Sequence, residues 1–200
     1  MAYTHPALFK LYNDLCNVKL KDKNPHTCGA ATTTKNGRNR KAKRVGDKIN
    51  FMAANSVSLH KVLKAPPEKV FRAFTEANAI ASWLPPYGFL CTVHAMDPKV
   101  GGSFKMSFHN FSTGNGHSFG GKYLEIKPNE FLKYTDQFDD PNLPGEMITS
   151  VWLKKVSVGT EIKIVQEGIP SMIPVEMCYL GWQESIDKLT KLVEPQIPDA

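Results

Sequence analysis

One aspartate interrupts an otherwise apolar strand face. Leu132, Tyr134, Asp136 and Phe138 recur at every second position, which places their side chains on one side of a β-strand. A carboxylate buried on such a face needs a partner or destabilises the fold. If it faces a cavity, Asp136 can orient a ligand hydroxyl. If the register shifts near the strand end, it faces water instead, and both placements are open. Asp136, His109 or Tyr134 could also serve as a general acid or base, as a cyclase-like or hydrolytic enzyme would require. His109 and His117 flank the Thr113-Gly114 turn and can approach each other across a hairpin. Two histidines without a third ligand do not define a metal site. The chain contains no His-Glu-x-x-His or phosphate loop. Gly120-Gly121 reads as a bulge rather than a phosphate cradle, so neither a cofactor nor a metal is expected.

Aromatic and sulfur-bearing side chains supply the remaining raw material. Phe104, Met106 and Phe108 share one strand face, Ile148 and Trp152 share another, and Cys178 and Trp182 lie on a helical stripe. Singly, each is explained by core packing. As a set they suggest an adaptable apolar pocket. The candidate ligand contacts are Trp83, Phe104, Met106, Phe108, Tyr134, Asp136, Phe138, Trp152, Cys178 and Trp182.

The elements that must position these residues can be read from period and punctuation. Val57, Leu59 and Leu63 alternate with Ser58, His60 and Val62 as in a half-buried strand. Pro66-Pro67-Glu68 then starts a helix, since proline lacks the amide that would go unpaired there and an acid suits the positive helix end. A second short helix spans 76–83 and stops at Pro85-Pro86. Strands are predicted near 89–96, 103–111, 117–127, 130–138, 146–156 and 160–167. Turn formers such as Gly101-Gly102, Gly114-Asn115-Gly116 and Pro128-Asn129 separate them, as in a meander. From Pro174, the residues Cys178, Trp182, Ile186, Leu189 and Val193 recur at helical spacing until Pro195. Seven antiparallel strands and one long amphipathic helix predict an α+β fold in which a curved sheet grips the helix.

Charge divides the chain. Residues 1–51 hold 11 of the 25 Lys/Arg and 3 of the 19 Asp/Glu, a net +8, whereas residues 52–200 net −2. The basic pI therefore belongs to an N-terminal extension, read as disordered, and nucleic-acid binding is not expected of the body. The run Arg38-Asn39-Arg40-Lys41-Ala42-Lys43-Arg44 suits a polyanion contact or nuclear signal, and the acid-poor leader also suits organellar targeting. The plain reading, a non-structural extension, is preferred to these, and Met52-Ala53 would make a natural start just before the first strand. No apolar run reaches the roughly 20 residues that cross a bilayer. Cys16, Cys28, Cys91 and Cys178 form no paired framework, consistent with a reducing, cytoplasmic setting. Oligomeric state is not legible.

Four segments carry a family resemblance. Lys64-Ala65-Pro66-Pro67-Glu68-Lys69-Val70-Phe71-Arg72-Ala73-Phe74-Thr75 is similar to a strand-to-helix opening. Ala81-Ser82-Trp83-Leu84-Pro85-Pro86-Tyr87-Gly88-Phe89 resembles an Arg-Trp-Trp-Pro landmark, with Ser82 and Leu84 at the arginine and second-tryptophan positions. Met96-Asp97-Pro98-Lys99-Val100-Gly101-Gly102-Ser103-Phe104 resembles a double-glycine segment, and Gly181-Trp182-Gln183-Glu184-Ser185-Ile186-Asp187-Lys188-Leu189 a closing helix. Together they resemble the Hsp90 ATPase activator homologue family, within the START and Bet v 1-like (SRPBCC) superfamily. The resemblance implies a helix-grip fold over residues 52–200 with a hydrophobic cavity. The resemblance implies no one activity, since members include cochaperones, ligand carriers, toxin-resistance proteins and polyketide cyclases. The function expected first is binding of a small apolar or amphipathic ligand without catalysis. A module acting on Hsp90 is the second expectation, although the leader lacks the periodicity of the larger N-terminal domain that cochaperones carry.

Overall fold

A computed structural model describes residues 55–198. The basic leader, its run at 38–44, Cys16 and Cys28 lie outside the described residues.

The described chain runs β1 (Val57–Leu63), α1 (Pro67–Thr75), α2 (Ala77–Trp83), β2 (Phe89–Met96), β3 (Ser103–Asn110), β4 (Gly116–Lys127), β5 (Phe131–Phe138), β6 (Met147–Val156), β7 (Gly159–Glu167) and α3 (Val175–Val193). The strands form one antiparallel sheet in the order β1-β7-β6-β5-β4-β3-β2. The meander read from the turn formers is therefore present, with β1 added beside β7 at the far edge. Strand ends fall within a residue or two of expectation.

Alternation sorts the two faces. Val57, Leu59 and Leu63, with Ile162, Ile164, Val151 and Leu153, are buried on the concave side. The helix stripe Trp182, Ile186, Leu189 and Val193 is buried as well. Burial of this apolar surface is the main force closing the sheet over α3.

Polar pins fix the helix. The Trp182 indole N–H donates to Gln166 Oε1 on β7 at 2.9 Å. Ser185 Oγ donates to the Leu84 carbonyl at 2.6 Å, and Lys188 Nζ to the Pro85 carbonyl at 2.9 Å. The Tyr87 amide donates to Glu184 Oε2, and Tyr87, Asp187 and Lys191 bond to one another. At the far end, the Lys64 amide donates to Glu194 and Lys69 Nζ to the Pro195 carbonyl. These pins run from Trp182 onward. The first turns of α3, with Val175 and Cys178, are held by half-buried apolar contact.

The bulge expected at Gly120-Gly121 lies elsewhere. Both glycines pair in register with β3, and the β4–β5 register shifts between Tyr123 and Glu125 instead. The Gly121 position demands glycine for another reason. A Cβ there would sit 1.8 Å from the Thr135 carbonyl oxygen and 3.1 Å from the Phe104 ring. Glycine thus lets β5 and the Phe104 ring close onto β4 beside Asp136.

Candidate functional site

The sheet register brings the candidate residues into neighbouring rows. Phe104 pairs with Gly121, Met106 with Phe119, and Phe108 with His117. Phe119 pairs with Phe138, and Tyr123 with Tyr134. Asp136 pairs with Met147, and Tyr134 with Thr149. Because β-strand side chains alternate, the concave face of β3–β6 holds Phe104, Met106, Phe108, His117, Phe119, Tyr123, Tyr134, Asp136, Phe138, Met147 and Thr149.

Two aromatic groups flank Asp136. On one side Phe104, Tyr123 and Tyr134 stack edge-on or tilted, with centroids 5.6 to 6.2 Å apart. On the other, Phe108, His117, Phe119 and Phe138 pack with centroids between 4.8 and 6.4 Å. The first group is buried, whereas Phe108 and Phe138 are half-buried, as are Cys91, Val93 and Met96 of β2 and Cys178 of α3. The β1–β7–β6 side of the concave face is thus covered by α1 and α3 together, and the β2–β5 side keeps accessible apolar surface.

Asp136 sits at the boundary between the two groups. The residue as a whole is partly accessible, yet its Oδ1 is sealed from solvent and accepts no hydrogen bond. Desolvation pushes its carboxyl up to about 7, against the pull of a hydrogen bond from the Gln137 backbone. The same burial, reinforced by the Asp136 charge, drives the neighbouring Tyr134 phenol far above its usual range. The buried Thr149 hydroxyl also lacks a well-formed hydrogen bond, although Tyr134 lies beside it. Orphaned buried polar atoms are uncommon and mark places where a missing group would be favourable.

The two histidines part company. His117 pairs with Phe108 on the concave face, while His109 pairs with Gly116 and so points the other way. The expected approach across the hairpin fails because they stand at opposite parity of the ladder. His109 is likewise removed from Asp136 and Tyr134, so these three groups do not converge around one volume. Among the described residues no cluster of three His, Cys, Asp or Glu side chains could hold a metal ion. Burial pushes His117 down to about 4, with the Asp140 charge opposing. Its imidazole should therefore stay neutral from pH 8 to about pH 5. An NMR titration of its ring protons should show no transition in that window; a midpoint near the ordinary value of about 6.5 would contradict its enclosure.

Trp152 is on the opposite face from that expected for a pocket. The concave residues of β6 are Met147, Thr149, Val151 and Leu153. Trp152, one position out of step, is 41% exposed on the convex side. It lies 5.4 Å from the Phe131 ring, with Lys163 Nζ over its own ring at 5.5 Å. Trp83 is wholly buried, and its N–H donates to the Ala73 carbonyl at 2.7 Å. Trp182 is buried against Gln166. Cys91 and Cys178 are free thiols, and burial pushes both up to about 11, so neither is a thiolate near neutrality. His117, Phe119 and Tyr123 belong to the site but were not among its expected contacts. The alternation of β4 could have pointed to them, had the glycine pair not been read as a bulge. A separate open groove of about 290 Å³, lined by residues 64–67 and 155–159, lies at the other end of β6 from Met147.

The family model described as activator of Hsp90 ATPase homolog 1-like protein matches residues 64–194. A protein from Chromobacterium violaceum of known structure is 55% identical, with a TM-score of 0.70 over 71% of this chain and 99% of that one. An AHSA1-like protein from Aeromonas hydrophila is 20% identical, with a TM-score of 0.58 over 70% of this chain and 92% of its own. A protein from Rhodobacter sphaeroides, also 20% identical, has a TM-score of 0.62 over 70% of this chain and 91% of that one. The latter two show the fold alone. No curated protein matches the chain.

Proposed function

We propose that this chain, which belongs to the family of activator of Hsp90 ATPase homolog 1-like proteins, binds a small apolar or amphipathic molecule between the β2–β5 part of its sheet and the first turns of α3. The fold supports a ligand-binding or cochaperone-like module, and no helix among the described residues is long and apolar enough to cross a membrane. The observation that carries the ligand reading is the combination on one concave face. Half-buried aromatic and sulfur side chains, Phe108, Phe138, Cys91, Met96 and Cys178, accompany a carboxylate oxygen of Asp136 that has no partner. Pockets for small molecules have this make-up, an apolar lining with a few polar groups that set orientation.

Native mass spectrometry of the protein purified from its own cells tests the reading. A small mass retained under gentle conditions and lost on denaturation is expected. A clean apo mass, with lipid and metabolite extracts giving no bound species, would overturn it. Family membership favours a second reading, a module acting on Hsp90. A pull-down with an ATPase assay decides that one, and absence of both binding and rate change would dispose of it.

A further inference from the structure

We infer that the ligand carries a protonated amine on an aromatic or aliphatic body, with Asp136 as its counter-charge. This rests on the binding reading above and names the class of ligand. The first ground is what Asp136 lacks. Asp97, Asp139 and Asp187 each pair with a lysine at the surface. Asp136 is in none of the ion pairs formed by the described residues, and no lysine or arginine bears on its carboxyl. Lys188, the cation of α3 nearest the concave face of β2, directs its ammonium to the Pro85 carbonyl. The fold thus holds an inward acid whose Oδ1 can accept a hydrogen bond and receives none.

The second ground is what surrounds it. Tyr134 and Phe138 stand two residues to either side on the same strand face. The Phe104 ring reaches the Gly121 position across the sheet, in edge contact with Tyr134. Aromatic faces attract cations and give nothing to an anion. A carboxylate or phosphate ligand would meet an acid with no compensating base. A neutral hydroxyl would satisfy the orphan oxygen but leave the charge uncompensated. An ammonium supplies donor and charge together, and charge-assisted hydrogen bonds are about twice as strong as neutral ones.

The titratable groups on the surrounding elements leave Asp136 as the one that switches. Tyr134 on β5, Tyr123 and His117 on β4, Cys91 on β2 and Cys178 on α3 are all held uncharged near neutrality by burial. Met147 and Thr149 of β6 carry no charge.

Three probes with one ring system and different head groups test the assignment: naphthylmethylamine, naphthalenemethanol and naphthoic acid. They are titrated calorimetrically into the full chain at pH 8 and pH 5.5, with Asp136→Asn alongside. At pH 8 the amine should bind about tenfold or more tighter than the alcohol, and the acid weakest. The preference should shrink at pH 5.5, and in Asp136→Asn the amine and alcohol should bind alike. Equal binding of all three probes, or an amine preference that survives in Asp136→Asn, overturns the amine and leaves the binding reading standing. A carried species without basic nitrogen in native mass spectrometry does the same. No binding of any probe, together with an apo native mass, overturns both.

Discussion

At pH 8, Asp136→Asn should be more stable than the parent protein, whereas at pH 4.5 that advantage should vanish or reverse. The sign follows from proton linkage. The folded-state carboxyl is raised from 3.8 to about 7, so the native state holds a proton that the unfolded chain releases. Stability from this group is fully present below about pH 4 and is lost as pH rises through about 7. At about 1.4 kcal/mol per pKa unit, the loss approaches roughly 4 kcal/mol at pH 8. Asparagine does not titrate, so that loss disappears. Its own buried amide lacks partners and costs about 1–3 kcal/mol. The net gain expected at pH 8 is therefore roughly 1–3 kcal/mol, on the order of a third of a small domain's stability at the upper end.

His117 contributes with opposite sign, since its depressed pKa removes stability as pH falls below about 6.5 towards 4. That slope is common to both proteins and cancels in the difference. Tyr123 and Tyr134 are pushed upward and titrate outside the window. Urea unfolding at pH 4.5, 6 and 8 reads the effect directly. Parallel pH profiles for the two proteins, or a variant weaker than the parent at pH 8, would show that Asp136 reaches solvent or a base. Such a residue, unfavourable when the binding face is empty, fits the trade of stability for function seen at binding sites.

Local signals carried most of the fold. Each turn between strands has a residue that tolerates positive φ or fixes a reversal, as at Gly114, Asn129 and Gly159. The spacing of Cys178, Trp182, Ile186, Leu189 and Val193 admits a helix and nothing else. Features set by distant backbone were not legible. The need for glycine at 121 comes from the Thr135 carbonyl, fourteen residues on, and the true bulge at 124 has no glycine to announce it. The grip of residues 84–87 on Glu184, Ser185, Asp187 and Lys188 joins segments about a hundred residues apart. Within the site, alternation placed Asp136 inward beside Tyr134 and Phe138. It failed at Trp152 because β6 offers apolar residues at both parities. Thr149 on the inner set and a tryptophan on the outer one made the wrong set look more buried.

The second large effect is expected at Trp83, where the same reasoning separates packing from binding. Its side chain has no accessible surface, and its ring meets Phe74 edge-on at 4.7 Å. The N–H donates to the Ala73 carbonyl, one of the carbonyls left unpaired at the end of α1. The indole thus caps one short helix from the end of the next. Trp83→Ala should cost about 3–5 kcal/mol, the range for emptying a buried aromatic site. Trp83→Phe keeps most of the apolar contact but orphans the Ala73 carbonyl, at about 1–3 kcal/mol. Trp152→Ala, on the exposed face, should cost no more than about 1 kcal/mol. Urea midpoints for the three variants check the order. If Trp83→Ala stayed within about 1 kcal/mol of the parent, the indole would not be the keystone between α1 and α2. The space it fills would then have to be counted with the accessible part of the concave face.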